Sequence, residues 1–515
     1  MEPFHYEDLR ALGTALPCDI ESRKQFGDFE GALRLTEQWL RRDIPENLRA
    51  RLHVEREILR VLPLEYPLAY EEAYEKVHAL LPDLTPERFR QLQDEGRIDW
   101  IYVNGKEHFI SSAAGTIRND LEKARRREEG IVRGSEFEEN SPLQDVIRRM
   151  QENGEDAFRF KIIYALRIRD EAFRPGPVKV YLPVVCGCDY VSDIELLHTS
   201  SGSFYLSPED APIRTICFEE DMEENHEFSV TFSFTSKSRY HDLWSAEALE
   251  ANRRAEGITI SGKKPGANTA EGTLISEERP GTCGEETEGS PPPDQRSERF
   301  DPVFPAGDLS ESLPHLVFTR FLKDLAAEIT AGLETPLEKA RAIYDYITSE
   351  VTYSYVRSYC TIENLGEYAL LNQRGDCGLQ ALSFIALCRI CGIPARWQSG
   401  NECCDGAVSC HDWAMVYLRP WGWLYCDPSY GGSAYRCGAP IRRRHYFGNL
   451  DPYRIPSCRE FQVQLDPPMT YFRADPYDNQ SGEVEYEDRS LAENEFTTRK
   501  TLLSAEHLSQ GKQIK

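Results

Sequence analysis

The clearest structural signal in the chain is QRGDCGLQALSFIALCRICGIPARWQSG, residues 373–400. The segment after Cys377 is apolar and helix-forming, and Gly392 with Pro394 ends it. Cys377 is therefore predicted to lie at or just before a helix N-terminus. There the positive end of the helix dipole and the free backbone N–H groups favour thiolate over thiol. The same N–H groups can stabilise a developing oxyanion.

A histidine and an aspartate follow on two predicted strands. His411 opens the segment HDWAMVYL, and Asp427 comes directly after GWLYC. A thiol nucleophile needs an imidazole to take its proton and later to protonate the leaving amine. It also needs a carboxylate that orients this imidazole. Asp412 is the alternative carboxylate, but neighbouring strand residues point to opposite faces, so Asp427 is the better candidate.

The stretch from about 335 to 432 resembles the transglutaminase-like superfamily of papain-type thiol enzymes. The matching segments are LEKARAIYDYI, RGDCGLQALSFIALCRICGIPARWQSG, HDWAMVYL and GWLYCDPSYGG. The histidine follows the cysteine by 34 residues and the aspartate follows the histidine by 16, which is the family's order and spacing. The resemblance implies that Cys377 is the nucleophile, His411 the general base and acid, and Asp427 the residue that orients His411. Weaker similarity outside this core points to bacterial multidomain members, in which a β-sandwich commonly precedes the thiol-enzyme domain.

The chain departs from the family pattern at two acidic residues. Asp412 follows the histidine, where many members have a small residue. Asp376 comes directly before the nucleophile and opposes thiolate formation unless it points away or is paired. Both departures leave the substrate preference open.

Four further residues are candidates for binding the substrate. The side-chain amide of Gln373 is a candidate oxyanion donor, because it lies shortly before the nucleophile. Trp397 and Gln398 end the strand after the nucleophile helix and are the first choice for lining an acyl-donor channel. Trp413 is a second candidate, although packing against the sheet is the simpler interpretation of these tryptophans.

The cysteines indicate free thiols and a cytoplasmic location. Their number is 15, so at least one is unpaired within a monomer, and the N-terminus MEPFHYEDLRALG has no secretory signal pattern. Cys403, Cys404 and Cys410 cluster just before His411, but their spacing does not make two clean pairs of zinc ligands. The prediction is therefore no metal and no cofactor, with a zinc site at this cluster left open.

The charge balance limits the classes of partner. The chain has 60 Lys and Arg against 86 Asp and Glu, a net charge of −26. This argues against nucleic acid or an anionic membrane as the main partner. No uncharged stretch is long enough for a transmembrane helix. A protein or peptide substrate is the expected partner.

The predicted fold class is a multidomain α+β protein. It comprises a mostly helical domain at 1–150, a β-sandwich at 151–245, a flexible linker at 246–305, a transglutaminase-like (papain-type) core with a nucleophile helix and an antiparallel sheet at 306–485, and a C-terminal tail at 486–515. Within the first domain, Asn104-Gly105 favours a tight hairpin turn. Helix followed by hairpin is compatible with a winged-helix element, but without a clear basic face a helical packing or partner-binding domain is preferred.

The predicted chemistry is thiol acyl transfer. Cys377 attacks an amide carbonyl and forms a thioester, and what resolves that thioester defines the enzyme. Water makes a peptidase or amidase, a lysine-type amine makes a transglutaminase, and attack on a glycosylated asparagine amide makes a peptide N-glycanase-like deglycosylase. Hydrolysis is favoured because no amine-site signature is evident. The alternative of another class is a catalytically silent protein-interaction module that binds through residues 1–150.

Overall fold

The computed structural model describes residues 5–129, 141–258, 305–404 and 406–508. Its helices are α1 (Cys18–Gln25), α2 (Phe29–Leu40), α3 (Glu46–Val61), α4 (Tyr70–His78), α5 (Pro86–Asp94), α6 (Ala113–Glu129), α7 (Pro142–Asn153), α8 (Ala246–Ala255), α9 (Arg320–Ile329), α10 (Pro336–Glu350), α11 (Leu365–Asn372), α12 (Cys377–Ile390), α13 (Pro428–Cys437) and α14 (Pro440–His445). Its strands are β1 (Leu68–Ala69), β2 (Trp100–Val103), β3 (Lys106–Phe109), β4 (Glu155–Ile168), β5 (Gly176–Pro183), β6 (Val191–Thr199), β7 (Phe204–Leu206), β8 (Thr215–Met222), β9 (Glu227–Arg239), β10 (Thr352–Tyr353), β11 (Arg374–Gly375), β12 (Ala395–Glu402), β13 (Ser409–Leu418), β14 (Gly422–Cys426), β15 (Phe447–Gly448), β16 (Arg454–Cys458), β17 (Glu483–Tyr486) and β18 (Phe496–His507). Over the described ranges, no helix has both the length and the apolar character needed to cross a membrane.

Helices α1–α6 and a small sheet of order β1-β3-β2 form the N-terminal region. Its buried hydrophobic cluster also takes in Cys360, Phe472 and Tyr477 from the later core. Strands β2 and β3 are joined by the predicted tight turn, where Asn104 and Gly105 both have positive φ, 51° and 75°. Helix α7 lies apart from this cluster. Its buried residues Val146 and Ile147 belong to the hydrophobic cluster of the following sheets. The structural boundary therefore falls before α7, and the predicted boundary at residue 150 is placed too late.

Two four-stranded antiparallel sheets follow, of order β18-β4-β9-β6 and β17-β5-β8-β7. Each sheet takes one strand from beyond residue 480. Strand β18 pairs with β4 along nearly its whole length, and β17 pairs with β5. The range 151–245 therefore contains neither sheet in full. The predicted C-terminal tail at 486–515 is wrong over Phe496–His507, which is an edge strand with exposed polar side chains.

The predicted linker at 246–305 begins with an ordered helix, so the prediction is wrong for α8. Ser245 caps α8 by accepting a hydrogen bond from the Ala248 N–H at 3.2 Å. Asn252 then ties the helix to the next region: its amide donates to the Arg419 carbonyl at 2.6 Å and accepts from the Leu337 N–H at 3.2 Å. The rest of the prediction, over 259–304, lies outside the described residues.

The core at 306–485 packs helices against a five-stranded antiparallel sheet of order β15-β14-β13-β12-β16. Helix α10 begins with the predicted capping box, in which the Thr335 hydroxyl accepts from the Glu338 N–H at 3.1 Å. Helix α12 begins at Cys377, as predicted, and every residue from there to Arg389 is buried. Because α12 contacts β13 and β12 directly, its N-terminus lies beside the strands that carry the other candidate residues.

Candidate active site

The N-terminus of α12 is held by Asp376. Its Oδ1 accepts hydrogen bonds from the Leu379 N–H at 2.9 Å and from the Tyr359 hydroxyl at 2.7 Å. Burial raises the pKa of the Asp376 carboxyl to about 6, although these hydrogen bonds act in the opposite direction. The acidic residue before Cys377 is therefore hydrogen-bonded to neutral groups at the start of α12.

His411 and Asp427 form a buried pair. His411 Nε2 lies 2.7 Å from Asp427 Oδ2, and both side chains are almost fully buried. Asp427 Oδ1 also accepts from the Tyr430 N–H at 2.9 Å and so caps α13. Burial by itself raises the pKa of Asp427, but His411 and Arg454 outweigh it, and the pKa lies below its ordinary value. The structure thus brings together the predicted imidazole and the predicted orienting carboxylate.

The thiol of Cys377 is bonded to a different carboxylate. Cys377 Sγ donates to Asp412 Oδ2 at 3.2 Å, and the Gln480 amide donates to the other oxygen of Asp412. Gln480 also donates to the His411 carbonyl at 3.2 Å. Burial, and next the repulsion from Asp376, raises the pKa of Asp412 to about 8.

This environment keeps the thiol protonated. Burial raises the pKa of Cys377 well above its ordinary value, and the Asp412 and Asp376 carboxyls raise it further. Burial and the two neighbouring acids thus act on the pKa of Cys377 in the direction opposite to that expected of the helix terminus.

The two pairs occupy opposite faces of β13. Asp412 lies opposite Ser399 on β12, and His411 lies opposite Gly400, so the two side chains point away from each other as expected for consecutive strand residues. In the described part of the chain, no hydrogen bond joins the Cys377 thiol to the His411 ring. The structure therefore brings His411 to Asp427, and Cys377 to Asp412, but does not connect the nucleophile to its predicted base.

The predicted substrate-binding residues divide between these faces. A Cβ added to Gly378 would lie 3.0 Å from the Trp397 ring, so Trp397 lies beside the nucleophile. Gln398 instead accepts from the Trp413 indole N–H at 2.8 Å, and Trp413 stacks on His411 with ring centroids 6.0 Å apart. Trp397 therefore lies on the Cys377 side of the sheet, whereas Gln398 and Trp413 lie on the His411 side.

Gln373 is placed differently from its prediction. It is exposed at the end of α11 in a left-handed conformation, with φ of 52°. Its carbonyl accepts from the Thr352 N–H at 2.9 Å. The residue therefore has a turn-forming role, and the structure does not bring its amide into the group around Cys377.

Sequence reasoning missed four residues of the site: Tyr359, Gly378, Gln480 and Arg454. Gly378 was the easiest of the four to predict from the sequence. A residue without Cβ next to a nucleophile indicates that other groups approach the backbone closely there. Tyr359 and Asp412 both lie where a side chain at Gly378 would collide. The other two residues come from distant segments that no local pattern connects to Cys377.

The three cysteines that precede His411 in the sequence each contact a different residue. Cys403 donates to the Tyr453 carbonyl at 3.4 Å, Cys404 lies 3.5 Å from the Tyr430 hydroxyl, and Cys410 accepts from Lys500 at 2.9 Å. Among the described residues, no group of three His, Cys, Asp or Glu side chains is placed to hold a metal ion.

Comparison with known proteins matches residues 323–428 to the core-domain model of the transglutaminase-like superfamily. The uncharacterized protein YebA of Bacillus subtilis is 26% identical over 144 residues, which cover 24% of this chain and 18% of YebA. The chain thus spans less than a fifth of the length of this curated relative.

Two solved structures show a distant likeness. One is a candidate cysteine protease from Cytophaga hutchinsonii, with 13% identity, a TM-score of 0.36, and coverage of 68% of this chain and 91% of that one. The other is the periplasmic domain of TgpA from Pseudomonas aeruginosa, with 14% identity, a TM-score of 0.25, and coverage of 58% and 96%.

Proposed function

We propose, from the transglutaminase-like core at residues 323–428, that the chain is a cysteine hydrolase acting on a peptide or side-chain amide. The observation that carries this proposal is the buried contact between His411 and Asp427 at 2.7 Å. Thiol acyl transfer requires an imidazole that is oriented by a carboxylate, and this pair supplies both groups.

In this mechanism Asp427 sets the tautomer of His411. Because the ionised Asp427 accepts a hydrogen bond from the N–H at His411 Nε2, Nδ1 of His411 is left as the proton acceptor. The thiol proton of Cys377 passes to Nδ1, and Sγ forms a bond to the amide carbonyl carbon. The C–N bond breaks, and the proton moves from His411 to the departing amine. Water then attacks the thioester while His411 takes its proton, which releases the acid and restores the thiol.

The first step requires the thiol to leave Asp412. Cys377 is 9% exposed and donates to that carboxylate, so the described arrangement is a resting form with a protonated nucleophile. Because His411 and Asp412 point to opposite faces of β13, the step also requires the start of β13 to rearrange against α12 so that Sγ reaches the His411 ring. In enzymes without bound substrate, catalytic hydrogen bonds are often long or poorly aligned, and they form fully only when the substrate binds.

The test compares wild type with Cys377→Ala, using a mixed peptide library and a labelled primary amine, with products read by mass spectrometry. Products formed only by chains that retain the thiol support the proposal. New termini identify a peptidase and deamidated side chains an amidase, whereas amine-tagged glutamines would identify a transglutaminase. Removal of glycan from asparagine would identify a deglycosylase.

Cys388→Ala is the matched control, because this buried cysteine lies on the same helix and away from the site. It is expected to retain activity. Identical product patterns from folded wild type and Cys377→Ala contradict the proposal and favour the catalytically silent interaction module. Binding through residues 1–150 and a cytoplasmic location stay predictions.

A further inference from the structure

A cavity of about 450 Å³ lies between the N-terminal region and the core. One wall is formed by α1, α2, α3 and β2, and the other by the core segment from Arg357 to Glu363. The volume is within the range of about 300–1,000 Å³ that is usual for small-molecule sites. Neither Cys377 nor His411 is among the described residues that line it, so the cavity is separate from the candidate active site.

The apolar part of the lining suits a hydrophobic group. Phe29, Ile58 and Leu62 contribute buried side chains from the helical wall, and Trp100 adds an indole ring from β2. An occupant with an apolar body loses hydrocarbon surface to water when it enters this part of the cavity, which is favourable.

Two cations of the lining share one carboxylate. The Glu55 side chain is fully buried, with Oε1 2.9 Å from Lys24 Nζ and Oε2 2.8 Å from Arg51 Nη1. Two positive charges thus face one negative charge. Because Arg51 is only 5% exposed, solvent screens the excess positive charge weakly. This part of the lining therefore favours an anion, although the chain as a whole has a net charge of −26.

Each wall also contributes a guanidinium N–H without an acceptor. Nε of Arg51 on the helical wall and Nε of Arg357 on the core wall are both buried, and within the described ranges neither has a hydrogen-bond partner. Buried donors are normally paired, because an unpaired one is costly. A planar guanidinium binds a carboxylate through two parallel N–H donors, so these groups favour a carboxylate among anions.

The acids of the lining do not replace such a ligand. Glu363 is exposed to solvent, and Glu21 is half-buried and accepts from the Gln25 amide at 3.1 Å. Water and this amide therefore satisfy their charges, whereas Arg51 lies in the protein interior.

The core wall of the cavity leads to the nucleophile helix. Cys360 and Thr361 line the cavity and follow Tyr359 directly in the chain. The Tyr359 hydroxyl donates to Asp376 at 2.7 Å, and Asp376 caps α12, which begins at Cys377. A continuous series of contacts therefore joins an occupant of the cavity to the start of α12.

We propose that this cavity binds a small organic carboxylate with an apolar body, and that this ligand is an effector that changes the start of α12. Apolar amino acids and the carboxyl ends of apolar peptides share this chemistry. Binding here does not depend on the reaction that Cys377 carries out.

The first experiment measures binding to the full-length chain by isothermal titration calorimetry. N-acetyl-phenylalanine has the carboxylate and an apolar body, and N-acetyl-phenylalaninamide has the same body without the charge. We expect the amide to bind at least about tenfold more weakly than the acid. Equal affinities, or no binding of the acid at millimolar concentration, overturn the inference.

Two further ligands distinguish the possible sources of the carboxylate. Free phenylalanine adds an ammonium group to the same body, and an N-acetylated tripeptide that ends in phenylalanine adds length. Binding of the tripeptide with the affinity of the acid supports a peptide end as the ligand. Binding of the two small acids without the tripeptide supports a free amino acid.

Substitutions on the helical wall test where the acid binds. Arg51→Lys keeps a cation beside Glu55 but loses the planar pair of donors, and Lys24→Met removes the second cation. Each should weaken binding of the acid by at least about tenfold. The matched control is Arg60→Lys, because Arg60 is also on α3, pairs with Glu57 at 2.7 Å and is not among the described lining residues. Unchanged affinity in Lys24→Met and Arg51→Lys overturns the inference, and if Arg51→Lys does not fold, Lys24→Met decides.

The second experiment follows the effect of the acid on the core wall by hydrogen–deuterium exchange and mass spectrometry. N-acetyl-phenylalanine should slow exchange at least about threefold over residues 357–363. It should also change exchange over residues 376–382, where Asp376 accepts from the Leu379 N–H. Unchanged exchange over 357–363 overturns the site. Slower exchange there with none of this change over 376–382 overturns the effector role.

Discussion

The guanidinium of Arg454 lies 3.0 Å from Asp427, on the same carboxylate oxygen that contacts His411. Arg454 also lies 3.0 Å from Asp451, and all three side chains are essentially inaccessible to solvent. Its guanidinium further stacks on Tyr430 at 4.1 Å. One buried cation therefore balances two buried acids and keeps the carboxylate behind His411 ionised.

Replacing this cation should destabilise the fold. Arg454→Met leaves Asp427 and Asp451 without their counter-charge, so we expect the free energy of unfolding to fall by about 3–5 kcal/mol. Urea denaturation measures the change. Arg320→Met is the control, because Arg320 forms an exposed pair with Asp324 and its loss should cost less than about 1 kcal/mol. Equal costs for the two variants would show that Arg454 has no special structural role.

Changing the orienting carboxylate should abolish most activity and spare the fold. Asn in Asp427→Asn can still accept from the Tyr430 N–H and cap α13, but it favours the wrong tautomer of His411. We expect kcat to fall by about 10³–10⁴-fold. The control is Asp451→Asn, which also removes an Arg454 partner but does not touch His411. A comparable loss of kcat in both variants contradicts the role assigned to Asp427.

Removing the charge of Asp412 should make the nucleophile more acidic. Asp412 raises the pKa of Cys377, so Asp412→Asn should move the midpoint of Cys377 alkylation to lower pH by about one unit. The measurement is the rate of iodoacetamide labelling against pH. Exposed Cys18 provides a midpoint that should not move, and in wild type Cys18 should react before Cys377. An unchanged Cys377 midpoint would mean that the charge of Asp412 does not control this thiol.

The raised pKa of the buried acid Glu483 predicts that stability falls as the pH rises from 4.5 to about 8. Burial raises its pKa from an ordinary value to about 8, so the folded chain holds a proton that the unfolded chain releases above about pH 4.5. Stability from this group is complete below pH 4.5 and disappears as pH rises through 8. Each such group contributes a slope of up to about 1.4 kcal/mol per pH unit.

The measurement is the free energy of unfolding between pH 6.5 and 8.5, for wild type and Glu483→Gln. This window avoids His315 and His445, whose lowered pKa values of about 3 and about 4 act only at more acidic pH, below the ordinary pKa of histidine. The variant should have a flatter slope, and its amide oxygen can still accept from the Ala474 or Asp475 N–H. Parallel curves would exclude a proton on Glu483.

Features that depend on residues close to one another in the sequence were predictable. The start of α12 follows from the apolar run after Cys377, and the contact of His411 with Asp427 follows from two short strands next to each other in the chain and in the sheet. Strand alternation likewise predicted that Asp412 points away from His411.

Features that depend on packing between distant segments were not predictable. The partner of the Cys377 thiol is decided by how α12 meets β13, and burial there raises the pKa of the thiol, against the direction expected of the helix terminus. Strand β18 was missed because most of its side chains are exposed and polar, so it lacks the alternating apolar pattern that marks half-buried strands.

Strand β18 is synthesised long after β4, the strand with which it pairs. Thr497 pairs with Arg167, 330 positions earlier, and Lys500 on the same strand reaches Asn401 and Cys410 beside His411. During synthesis, β4 therefore leaves the ribosome long before its edge partner exists, and its open edge is a place where nascent chains pair wrongly. Chaperones that shield this edge should matter more for this chain than for a protein whose neighbouring strands are made in succession.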